Sequence, residues 1–114
     1  MSQAQALILS IAIEAVIALV LVRALRWGSG TRAALAATVG TLITHPFVWH
    51  AVPTLEAPLG YGQTLVLVES GVVLAESAAY RLIVPQPWRR ALLASLVANA
   101  SSTGVGLVYY AFAG

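Results

Sequence analysis

Three glutamates, a histidine and an asparagine lie inside runs of apolar residues, where a polar side chain needs either a partner or a purpose. Glu14 sits in ALILSIAIEAVIALV, His45 in LITHPFVWH, Glu69 and Glu76 in TLVLVESGVVLAESAAY, and Asn99 in LVANASSTG. If those runs cross a membrane, a charged group at a helix centre costs about 2.5–3.5 kcal/mol on insertion scales. Chains of carboxylates and imidazoles at such depth mark proton relays and ion routes. Histidine adds a group that titrates near neutral pH.

Helical spacing organises these groups. Glu69 and Glu76 are seven residues apart and share a face, with Ser70 and Ser77 beside them. Thr38, Thr41 and His45 stand at i, i+3, i+7, and Ser95, Asn99, Ser102 and Thr103 form a fourth polar face. Thr44 precedes His45, and Pro46 follows it. Pro46 cannot donate to the carbonyl of Leu42, so a kink or a local opening is expected there. At ~1.5 Å rise per residue, Glu14 falls near mid-span, His45 slightly outward, Glu69 further outward, and Glu76 and Asn99 in the inner half.

Several chemistries fit this set. One is a proton, cation or small-solute pathway through Glu69, Glu76, Glu14, His45 and Asn99, supported by Thr41, Thr44 and Pro46. Another is structural: neutral carboxyls hydrogen-bonding to hydroxyls and amides as helix glue. A metal is only weakly indicated, with His45 and Glu69 as candidate ligands, because no H-x-x-x-H or H-x-x-E-H spacing occurs. Acid/base work on a lipid is a remoter alternative, since no G-x-S-x-G nucleophile motif is present. No catalytic residue and no cofactor is assigned.

These residues need elements to hold them. The 114 residues are 60% hydrophobic and only 9% charged, with a mean hydropathy of +0.88, far from the composition of an ordinary soluble domain. Four apolar stretches, about 4–25, 33–51, 63–84 and 91–112, each approach the ~20 residues that span a bilayer. The expectation is one all-α transmembrane domain over residues 1–114, an antiparallel four-helix bundle. The first stretch is read as mature structure, because no basic residue precedes it and it exceeds the ~7–15 residues of a signal-peptide core.

The six basic residues, all arginine, set an orientation. Arg23, Arg26 and Arg32 flank the first connection and Arg81, Arg89 and Arg90 the third, while VPTLEAPLGYG between the middle spans has none. The positive-inside rule then places both termini outside a bacterial cytoplasmic membrane. Trp27, Trp49, Tyr61, Trp88, Tyr109 and Tyr110 mark span ends, and His50 is an outer interfacial residue. Pro53, Pro58, Gly60 and Gly62 are expected to form the second turn. Small residues, Ala33, Ala36, Ala37 and Gly40 on the second span and Gly71, Ala75 and Ala78 on the third, are expected to let helices approach closely. The absence of cysteine excludes disulfides and thiol chemistry. Scattered basic residues give no nucleic-acid surface. The expected partners are the lipid bilayer and either further copies of the chain or a larger membrane complex, in which the chain would serve as an accessory subunit.

The residues Thr44, His45 and Pro46, followed by Glu69, Val72, Val73, Glu76 and Tyr80, carry a resemblance. The chain resembles a group of small uncharacterised bacterial four-span membrane proteins with a Thr-Asn-Pro-like motif in span two and E-x-x-V-V-x-x-E-x-x-x-Y in span three. The likeness covers Thr44 to Asn99 and implies a shared four-span architecture. His45 stands where that pattern carries asparagine.

Overall fold

The computed structural model describes residues 2–113, and among them the fold is all-α. Four helices follow in order: α1 (Gln3–Ala24), α2 (Gly30–Leu59), α3 (Tyr61–Ile83) and α4 (Trp88–Ala113). Each packs on two neighbours, α1 on α2 and α4, and α3 on α2 and α4, so the four helices surround one axis. Short connections make adjacent helices antiparallel. One end of the bundle therefore carries all six arginines, and the opposite end the starts of α1 and α3 with the ends of α2 and α4.

Local chemistry fixes the boundaries. Ser2 and Gln5 form a reciprocal capping box at the start of α1, Ser2 Oγ accepting from the Gln5 amide and Gln5 Oε1 from the Ser2 amide. At its end, the Trp27 amide donates to the Val22 carbonyl and the Arg26 amide to that of Arg23. This is a Schellman closure, with Arg26 at φ 57° in the left-handed position glycine usually takes. Ser29 caps α2 by accepting from the Arg32 amide.

The second connection differs from expectation. Most of VPTLEAPLGYG is helical: α2 runs on through Pro46, Pro53 and Pro58 to Leu59. A proline removes one donor and disfavours a helix interior. It does not supply a turn, however, and the chain reverses only where Gly60 adopts φ 82°, ψ 160°. That single residue ends α2, donating to the Glu56 carbonyl, and starts α3, accepting from Thr64. Trp49, expected at a span end, consequently lies well inside α2.

Polarity is distributed inside out. Toward the arginine end the core consists of small or closely fitted groups, Ala18, Val22, Ala33, Ala36, Ala37, Tyr80, Val84, Ala91 and Ala94, all with no exposed surface. Buried polar groups are Glu14, Thr41, Glu76, Ser77, Gln86, Ser95 and Asn99, with Thr64 near the opposite end at the start of α3. Large apolar side chains point outward on every helix, among them Ile8, Phe47, Val66, Leu74, Leu82 and Val108. Helices α1 and α4 are each long and apolar enough to cross a membrane. Helices α2 and α3 are diluted by His45, three prolines, Glu69, Glu76 and flanking polar residues. The small-residue expectation holds on α2, where Ala33, Ala36, Ala37 and Gly40 are buried. Of the three on α3 only Ala78 is even half-buried: Gly71 and Ala75 are exposed, and a Cβ placed on Gly71 would meet nothing within 4 Å.

Candidate functional site

All four helices deliver a polar side chain to one point. Glu14 from α1 accepts from Thr41 Oγ1 on α2 at 3.3 Å and from Ser102 Oγ on α4 at 3.1 Å. Glu76 from α3 accepts from Thr44 Oγ1 on α2 at 2.8 Å and from Asn99 Nδ2 on α4 at 3.2 Å. The two carboxyl groups lie within hydrogen-bonding reach of each other. Both glutamates are almost fully buried, at 2% and 1% exposure, so direct solvation by bulk water is small.

The neighbours hold this pair tightly. Gly40 lets α2 approach α3 so closely that a Cβ there would stand 3.0 Å from Glu76 Cγ. Asn99 is oriented by its own helix, donating to the Ser95 carbonyl at 2.8 Å. Ser95 in turn donates to the Val73 carbonyl at 2.9 Å, tying α4 to α3. These contacts restrict the carboxyls without supplying a cation.

Two hydroxyls have a further property. Thr44 Oγ1 lies 3.0 Å from the Gly40 carbonyl as well as 2.8 Å from Glu76 Oε2. Ser102 Oγ lies 3.2 Å from the Asn99 carbonyl as well as 3.1 Å from Glu14 Oε2. A hydroxyl has one proton and can also accept. It can donate to a charged carboxylate, or donate to the backbone carbonyl and accept from a protonated carboxyl. Each glutamate is therefore satisfied in both protonation states by a rotation of one hydroxyl.

A cavity of about 190 Å³ opens onto the pair. Its walls include Ser10, His45, Glu69 and Thr103, and it extends toward the end of the bundle where Tyr61 and Tyr110 stand partly exposed. In the other direction the fully buried alanine and Tyr80 core closes the axis. Glu69 is half-buried higher on this wall, against the Thr103 hydroxyl. None of the six arginines lines the cavity.

The remaining candidates divide. His45 lines the cavity, yet among the described residues it makes no hydrogen bond to a glutamate; its ring lies 5.9 Å from that of Trp49, and its Nε2 is buried without a partner. Pro46 corrects its expected place, because it is exposed and borders a shallow outer groove with Phe47 and His50 instead of the site. Ser70 faces outward, and Ser77 spends its hydroxyl on the Leu74 carbonyl of its own helix, so neither serves the carboxyls. The serine that does is Ser102, whose signal was its i+3 spacing from Asn99. Among the described residues no group of three or more His, Asp or Glu side chains is placed to hold a metal ion, and His45 and Glu69 form no such set.

No protein family, characterised protein or solved structure matches this chain. The site combines a buried carboxyl pair, hydroxyl partners that can turn between carboxyl and backbone, a polar cavity above and a packed floor below.

Proposed function

We propose that this protein is a membrane-embedded carrier of protons or small cations, loaded at the Glu14–Glu76 pair from the cavity. The observation that carries the reading is the pair itself, with Thr44 and Ser102 able to serve each carboxyl with or without its proton. A purely structural knot needs only one protonation state. Two hydroxyls that each bridge a carboxyl and a backbone carbonyl suit a site that exchanges protons or trades them for a cation.

The membrane setting is supported by the polar interior, the apolar exterior and the two long apolar helices α1 and α4. With all six arginines at one end, the positive-inside rule puts that end in the cytoplasm and the cavity mouth, with both termini, outside. Permeation then requires the alanine-packed half to open after loading, because the cavity stops at the carboxyls.

Reconstituted liposomes containing a pH-sensitive dye and an imposed diffusion potential test this. The expected result is proton or cation flux in the native protein and its loss in Glu14→Gln and in Glu76→Gln. Flux at the native rate in both variants would sink the proposal.

A further inference from the structure

A second opening reaches the same wall from the side. Between α3 and α4 lies a groove of about 600 Å³, a size that holds a drug-sized ligand. Its outer walls are apolar apart from Ser70, including Val66, Val73, Leu74 and Leu96, and its inner wall is Glu69, Asn99 and Thr103. Those three residues also line the central cavity, so the groove and the cavity meet across them. Gly104 borders the open part of the groove, where a Cβ would meet no atom within 4 Å.

The chemistry at this junction is one-sided. A carboxyl and a hydroxyl stand at the inner end of an apolar trough, and no arginine borders the groove. We infer that the α3–α4 groove binds an amphiphile bearing a protonated amine, its apolar chain along Val66, Val73 and Leu96 and its ammonium against Glu69 and Thr103. Charge complementarity selects the headgroup, and the apolar walls accept the chain from the hydrocarbon side. An anionic headgroup would meet a carboxyl with no compensating base. This inference rests on the membrane reading above and adds a class of ligand to the same wall.

Binding is measured separately from flux. The probe is dodecylammonium carrying a diazirine on its alkyl chain, added to the protein in lipid nanodiscs, irradiated, and mapped by peptide mass spectrometry. The expected result is saturable labelling of segments Val66–Leu74 and Leu96–Gly104. Unlabelled dodecylammonium competes, and dodecyl sulfate at the same bilayer content does not. Loss of a charge-assisted contact in Glu69→Gln weakens binding about tenfold or more. Glu69→Asp keeps binding within about threefold because the carboxylate remains, which separates loss of charge from loss of fold, and Gly104→Leu blocks the groove. Equal competition by dodecyl sulfate, unaltered labelling in Glu69→Gln, or labelling displaced by a second copy of the chain as protein density rises would each overturn the inference. Absence of saturable labelling alongside flux that still depends on Glu14 overturns the groove alone. A chain that fails to integrate into the bilayer overturns the functional reading beneath it.

Discussion

Thr44 is the residue on which the carboxyl chemistry turns most directly. Its hydroxyl is shared between the Gly40 carbonyl and Glu76. Thr44→Val keeps the shape and removes that partner, leaving a buried oxygen unsatisfied at a cost of about 1–3 kcal/mol. Thermal unfolding in detergent should fall accordingly, and flux should fall with it, while Thr44→Ser restores both. Gly40→Ala tests the packing behind the same glutamate. Glu76 is held at both carboxyl oxygens and has little room to retreat, so overpacking should cost about 1–3 kcal/mol; a variant as stable as the native chain would show that the side chain gives way. At this scale much was legible in the sequence: intramembrane-type carboxyls with polar faces at helical spacing point toward one another, and Glu14, Glu76, Thr41, Thr44 and Asn99 do meet. The failures have a physical cause. Ser70 and Pro46 are sequence neighbours of site residues, and on a helix each residue is rotated by about 100° from the last, so adjacency in sequence is no guide to facing. His45 shares the cavity without joining the pair, because its ring packs against Trp49 one turn along α2.

Element boundaries were legible where a residue's own chemistry determines them and obscure where proline had to be weighed. The number of helices and their antiparallel order follow from the lengths of the apolar stretches. The end of α2 does not, because Pro53 and Pro58 read as turn formers although the turn belongs to Gly60. That glycine occupies backbone space closed to other residues, so Gly60→Ala should destabilise the bundle by about 1–3 kcal/mol, read as a lower unfolding temperature with unchanged helix content. Pro58→Ala should be neutral or stabilising, since the helix already passes through that position. At the opposite end Arg26 pays a left-handed penalty in the Schellman turn. Arg26→Gly should raise stability by about 1 kcal/mol, measured by the same unfolding curve.

The whole molecule has a polar, partly open half and a dry, tightly packed half. Its arginines all lie at the dry end, where Arg90 stands 5.6 Å from the Trp27 ring centre and Arg81 5.9 Å from that of Trp88. The proposed orientation gives a direct check in a chain without cysteine. A single cysteine replacing Ser29 should react with a membrane-impermeant maleimide only after the cytoplasmic face is exposed, and one replacing Gln63 should react in intact cells. The opposite pattern would invert the bundle. The placement of the six arginines made the charged end legible in the sequence. The depth at which the cavity stops was not, since it depends on how closely alanines from three helices fit around Tyr80.

That depth sets a count of water molecules. At roughly 30 Å³ per molecule, a space of about 190 Å³ has room for a short file of waters. A proton needs no more than such a thread to reach the carboxyls. An ion that keeps its inner hydration shell, as Mg²⁺ does, would face Glu14 and Glu76 only through its own waters. On the proposed proton pathway, the cost of shedding water would set selectivity, and millimolar Mg²⁺ should leave proton flux unchanged.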